Sequence, residues 1–111
     1  LGIGNIICAG TILTCNIKIE NFVILNLHCT VGHDTRIKSF SSFMPAVNIS
    51  GEVDVQEGVY VGTGAKVINL LNIGEYSIIG AGAVIIRDVP DGATVVGNPG
   101  KVIKERVFSD N

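Results

Sequence analysis

From Leu1 to Ile85, every sixth residue is Leu, Val, Ile or Phe. The stops are Leu1, Ile7, Leu13, Ile19, Leu25, Val31, Ile37, Phe43, Ile49, Val55, Val61, Val67, Ile73, Ile79 and Ile85, with no insertion to break register. An amphipathic helix repeats its apolar face at 3.6 residues and a half-buried strand at 2, so a strict six fits neither. Four residues after each stop runs a second column, small or aliphatic from Thr11 through Cys29, Ala65 and Ala83 to Val89. A branched residue and then a small one in every hexad describes short parallel strands wound into a coil. The large residue fills the axis and the small one sits where the backbone turns. Hexapeptide repeats are the signature of a parallel β-helix, so the expected fold is all-β, with three hexads per coil and about five coils. Fourteen glycines suit its frequent corners.

Three hexads per coil stack residues 18 apart, and outward positions then segregate by face. Ile6, Ile24, Ser42, Tyr60 and Ile78 form a largely apolar column, Lys18, Arg36, Asp54 and Asn72 a polar one, and Phe22, Phe40, Gly58 and Tyr76 an aromatic one. An apolar face on a rod of this size marks contact with another copy or domain.

The repeat is expected to span 1–90, followed by a C-terminal segment over 91–111. Its parts would be a turn-rich exit at 88–92, a short strand at 94–96, a tight turn at 97–100 and a helix over 101–108. The chain is already in register at Leu1, where a sheet edge would lie open, so an N-terminal domain is expected to precede it.

With 47% hydrophobic and 16% charged residues, the chain is not disordered in composition. It has no apolar run of about 20 residues and no signal-peptide pattern, so a cytoplasmic protein without membrane partners is expected. A net charge of −2 with scattered Lys and Arg gives no footprint for nucleic acid. Cys8, Cys15 and Cys29 are an odd number and fit a reducing compartment, with Cys29 packing in the inward column.

The two histidines, His28 and His33, fall on outward positions. His33 precedes Asp34 and stacks in a column with Cys15, Gly51, Asn69 and Arg87. Imidazole titrates near neutrality and suits a general base, and Asp34 would fix its tautomer, although neighbours in extended chain point apart. By itself such a pair also reads as ordinary surface. Two histidines fall short of the three protein ligands of a catalytic zinc, so no metal site is expected. There is no phosphate-binding P-loop and no Thr-x-Thr ladder of an ice-binding rod. A non-catalytic scaffold remains the rival to an enzyme.

The hexads, His33-Asp34, the stretch Gly62-Thr63-Gly64-Ala65, the run Ile79-Gly80-Ala81-Gly82-Ala83-Val84-Ile85, and Asp88-Val89-Pro90-Asp91-Gly92 leading to Val96-Gly97-Asn98-Pro99 together resemble the left-handed β-helix acyltransferases. Within them the chain is most similar to the sialic acid O-acetyltransferase and UDP-amino-sugar N-acetyltransferase group. The left hand comes from this resemblance alone, because parallel crossovers are normally right-handed.

The resemblance implies a homotrimer with acetyl-CoA lying in a groove between neighbouring prisms. It implies His33 as general base, Asp34 as its orienting acid and Gly51 as the backbone N–H donor to the oxyanion. Thr63 and Ala81 would contact the pantetheine arm along a strip bared by Gly64 and Gly82, and Lys101 a CoA phosphate. Asn26 would lie on the acceptor side, as would Ser42, which stands where some relatives carry a further histidine. The implied reaction is acetyl transfer to an amino or hydroxyl group of a sugar in surface-glycan synthesis. Serine or another small metabolite is the alternative acceptor.

Overall fold

The computed structural model describes residues 1–105, and their backbone forms a three-faced prism of two-residue strands. The first face stacks β1 (Ile6–Ile7), β4 (Ile24–Leu25), β7 (Ser42–Phe43), β10 (Tyr60–Val61), β13 (Ile78–Ile79), β15 (Ala93–Val96) and β16 (Lys101–Glu105). The second stacks β2 (Ile12–Leu13), β5 (Thr30–Val31), β8 (Asn48–Ile49), β11 (Lys66–Val67) and β14 (Val84–Ile85). The third stacks β3 (Lys18–Ile19), β6 (Arg36–Ile37), β9 (Asp54–Val55) and β12 (Asn72–Ile73). From β1 to β14 every pairing is parallel and joins residues 18 apart, as in Ile6 with Ile24 and Arg36 with Asp54. The coil of three hexads is thus observed directly.

Both periodic columns point inward. Leu25, Val31, Ile37, Phe43 and Ile79 from the first column, and Val23, Val47, Val53, Ala65 and Ala83 from the second, have no exposed surface. Thr35, Ser41 and Ser77 are buried with them. A buried hydroxyl is tolerated only when hydrogen-bonded, and here the corner carbonyls accept: Thr35 Oγ1 donates to Ser50 O at 3.1 Å and Ser41 Oγ to Gln56 O at 3.0 Å. Cys29 follows the same geometry, its Sγ donating to Met44 O at 3.3 Å, and its thiol pKa is raised by burial. It packs, as its column predicts.

One further period runs through the backbone. Three residues after each stop, from Gly4 to Gly82, φ is positive, and nine of those corner residues are not glycine: Asn16, Phe22, His28, Asp34, Phe40, Ala46, Glu52, Leu70 and Tyr76. An L-residue in that region costs roughly 1–2 kcal/mol, least for Asn and Asp. The cost recurs because every corner must turn the chain through the same angle. Rings at such corners lie over glycines one coil away. A Cβ on Gly4 would stand 2.4 Å from the Phe22 ring, and one on Gly10 2.2 Å from His28 Nδ1. Phe22 and Phe40 stack with ring centroids 5.7 Å apart.

The C-terminal segment departs from expectation in one element. A strand forms at Ala93–Val96 and turns follow at 97–100, but Lys101–Glu105 is a strand, not the start of a helix. The turn reverses the chain and lays β16 antiparallel on β15, Val102 opposite Val95. An unpaired edge offers backbone partners along its whole length, and the β-branched Val102 and Ile103 suit that pairing better than a short, unsupported helix. Positions 106–108 of the expected helix lie outside the described residues. Val89 bridges Ile73, and Val95 is buried, so the core continues past the last hexad. No helix among the described residues is long and apolar enough to cross a membrane.

Candidate active site

The second and third faces meet at one corner of the prism, and there β5 ends, the chain turns, and β6 begins. His33 and Asp34 occupy that turn. In extended chain their side chains would diverge. The left-handed backbone of Asp34, with φ 58, instead brings them together, and His33 Nδ1 lies 2.9 Å from Asp34 Oδ2. Both side chains are about half exposed, at 56% and 43%. The hydrogen bond to Asp34, aided by the charges of Asp34 and Glu52, raises the His33 pKa above the ordinary imidazole value. The bonds from His33 and Asn16 hold the Asp34 carboxyl below its own.

Nε2 of the same ring lies over Gly51, one coil on. A Cβ on Gly51 would stand 2.6 Å from Nε2, 2.9 Å from Cδ2 and 3.0 Å from Cε1, so the imidazole takes the space that any other residue would fill. Gly32 permits an equally close approach beneath, since its Cβ would lie 2.5 Å from Gly51 N. The Gly51 N–H donates to no protein group among the described residues. One corner therefore presents a bare imidazole nitrogen beside an unused backbone donor.

The other expected site residues sit elsewhere. Thr63 and Gly64 turn the chain from β10 to β11, and Ala81 and Gly82 from β13 to β14, at the corner between the first and second faces. Gly64 and Gly82 have φ of 72 and 69, and a Cβ on either would meet nothing within 4 Å, so they serve the turn and also leave open ground. The N–H groups of Thr63 and Ala81 donate to no protein group among the described residues. Asn26 lies at the same corner in the second coil, its Oδ1 accepting from Leu27 N–H at 3.0 Å, and Ser42 lies on the first face. Lys101 lines a cavity of about 260 Å³ at the C-terminal end of the prism, with Arg87 and Asp88 on its border. One chain thus unites His33, Asp34 and Gly51. It holds Thr63, Gly64, Ala81 and Gly82 one whole face away.

His28 stands at that second corner, apart from His33, and its ring covers Gly10. Two residues of the His33 corner escaped the sequence reading. Asn16 donates through Nδ2 to Asp34 Oδ1. Glu52 brings its carboxylate to the group, the ligand-type atoms of His33, Asp34 and Glu52 lying within 4.8 Å of one another, all three side chains exposed. Both stack 18 residues from Asp34, which is the signal that would have found them. Asn16, Asp34, Lys18 and Arg36 also line a polar recess of about 130 Å³.

No family model matches the chain. Among solved structures, the acetyltransferase domain of PglB from Neisseria gonorrhoeae matches 93% of this chain, and 50% of its own, with TM-score 0.91 and 35% identity. The chain belongs with the hexapeptide-repeat left-handed β-helix acetyltransferases. The same PglB domain has been solved with acetyl coenzyme A, and that structure matches with TM-score 0.75. A histidine-to-asparagine mutant of perosamine N-acetyltransferase from Caulobacter crescentus, in complex with CoA and GDP-perosamine, matches 91% of this chain and 57% of its own with TM-score 0.81 and 27% identity. By sequence, a Saccharomyces cerevisiae protein named for acetyltransferase activity is 35% identical over 86 residues, 74% of this chain and 40% of that protein. Serine acetyltransferase of Bacillus subtilis is 49% identical over 49 residues, 44% of this chain and 23% of that enzyme. The chain spans between 23% and 57% of the length of these relatives.

Proposed function

We propose that this chain carries the acetyl-transfer centre of an acetyl-CoA-dependent acetyltransferase acting on an amino or hydroxyl group of a sugar, nucleotide-linked or sialic-acid-like. The observation that carries the reading is the His33 corner: Nδ1 tied to Asp34, Nε2 over Gly51, and the Gly51 N–H unused. With Nδ1–H donated to the carboxylate, Nε2 is the basic atom. It takes the proton from the acceptor amine or hydroxyl as that group attacks the thioester carbonyl, so a C–N or C–O bond forms while the C–S bond breaks. The proton passes from Nε2 to the departing CoA sulfur. Charge on the carbonyl oxygen meets the Gly51 N–H, and removing one such fixed donor typically costs about 2.7–4 kcal/mol of transition-state stabilisation. No acyl-enzyme is needed.

The donor strip of Thr63, Gly64, Ala81 and Gly82 belongs to a different corner, and this supports a homotrimer in which the strip of one copy faces the His33 corner of the next. Lys101 would then meet a CoA phosphate, and Asn26 and Ser42 would face the acceptor. The apolar column of Ile6, Tyr60 and Ile78, exposed at 55%, 44% and 39%, supplies surface for such an assembly.

Full-length protein incubated with acetyl-CoA and a panel of amino sugars, nucleotide-linked amino sugars and sialic acids is expected to give a product 42 mass units heavier, roughly one acetyl group, and His33→Ala to abolish it. Substantial turnover in that variant would remove His33 from the role. The match to serine acetyltransferase supports a second acceptor, serine, which belongs in the same panel.

A further inference from the structure

Asp34 spends only one of its oxygens on His33. Oδ2 meets Nδ1 at 2.9 Å, while Oδ1 accepts from Asn16 Nδ2 one coil earlier, and the Asp34 N–H donates to Cys15 O at 3.1 Å. The carboxylate is therefore fixed at both oxygens and at its own backbone. A carboxylate held at one oxygen swings about χ2, and the imidazole bonded to it follows. We propose that Asn16 is a positioning residue, its amide holding Asp34 in the rotamer that keeps His33 in the Nδ1–H tautomer with Nε2 aimed over Gly51. The inference rests on the reading of His33 as base and deepens it.

The residue type fits the task in two ways. Asn16 has φ 58, a backbone that Asn adopts more readily than most residues. Its amide is also neutral. A Lys or Arg at the same place would draw the carboxylate into an ion pair and weaken the charge that Asp34 presents to imidazole. Lys18 and Arg36 border the recess beside Asp34, but the bond to Oδ1 comes from Asn16. Facing the ring besides Asp34 are the Glu52 carboxylate, within 4.8 Å of the His33 and Asp34 ligand atoms, and Gly51 one coil on.

Asn16→Gly keeps the left-handed corner and removes the amide, whereas Asn16→Asp keeps the shape and replaces the donor with a second carboxylate. The imidazole nitrogens of His33 are followed by long-range ¹⁵N–¹H NMR across pH in the full-length protein, beside kcat and KM. Asn16→Gly is expected to mix the Nε2–H tautomer into the Nδ1–H form and to lower the pH at which the ring titrates. It should also reduce kcat about tenfold or more, the scale of one lost hydrogen bond to a charged group, with KM for acetyl-CoA within about twofold. Asn16→Asp is expected to reduce kcat at least as far while its added charge keeps the titration high, separating position from charge. An unchanged tautomer ratio and titration in folded Asn16→Gly overturns the inference, even where wild-type acetyl transfer stands. The NMR readout needs no turnover, so failure of the acetyltransferase reading is told apart from failure of this one.

Discussion

Gly51 and Gly64 show two different reasons for a glycine, and they separate by substitution. Gly51 has ordinary backbone but no room, since a methyl group there meets His33 Nε2 at 2.6 Å. The exposed ring can swing aside, so Gly51→Ala is expected to leave thermal unfolding nearly unchanged while acetyl transfer falls roughly a hundredfold, as misplaced catalytic groups do. Equal losses in both measurements would mean that the ring cannot swing aside and that Gly51 is chiefly structural. The dyad also sets a pH dependence. Because the hydrogen bond to Asp34 raises the His33 pKa, the acid limb of kcat/KM should lie at higher pH than an unpaired imidazole would give. Asp34→Asn, which tolerates the same positive φ, should move that limb to lower pH and lower the plateau, because the tautomer is no longer fixed. The Coulomb part of the same pairing favours the fold while His33 is protonated and is lost as pH rises through its raised pKa. That His33 and Asp34 touch was not legible from their adjacency. The sequence pattern does not reveal that Asp34 adopts a left-handed corner, and only that conformation turns adjacent side chains toward each other. Asn16 was hidden for a different reason: it stacks on Asp34, outside the column of His33, and reaches the ring only through that carboxylate.

The elements themselves were readable because a two-residue strand offers a core few choices. Each hexad must bury its stop and its small residue, so the alternation survives in the sequence without gaps. The antiparallel β16 was not readable, since Lys101, Val102, Ile103 and Lys104 obey no six-residue rule and their strand exists only because β15 offers an edge. The corners are where stability can be adjusted. Leu70 has φ 64 and is 66% exposed, so it pays the left-handed cost and buries little in return. Leu70→Gly is expected to raise unfolding free energy by about 0.5–1 kcal/mol in chemical denaturation. Gly64→Ala has open space around the new methyl group, yet φ 72 should make it lose about 1 kcal/mol or more. If Gly64→Ala proved neutral, the corners would not carry the strain assigned to them.

For the whole molecule, the decisive issue is that His33 and the strip of Thr63, Gly64, Ala81 and Gly82 occupy different corners. If the site forms between copies, two inactive variants should repair each other. His33→Ala, which keeps the strip, and Ala81→Trp, which blocks it, are expected to be inactive alone. After unfolding and refolding together at equal amounts, about a quarter of the interfaces would pair an intact His33 with an intact strip. Recovery near that fraction of wild-type turnover is the expected result, and none at all would place the working site within one chain. The apolar first face was legible as exposed surface, since its column segregates by chemistry. How one corner would meet another is not written in a linear repeat, which describes one prism and carries no record of how prisms face each other.

The uniform stacking makes the prism a ruler. His33 and Asn69 stand two rungs apart in one column, about 10 Å at the usual strand spacing. Adding 18 residues between them would lengthen that span by one graduation and leave every face in line. Adding six would satisfy the buried pattern just as well, yet rotate everything downstream by one face. The folding code of this chain therefore reads in sixes, whereas any chemistry that depends on aligned columns reads in eighteens. Insertions that the core accepts without penalty can still put its working parts out of phase.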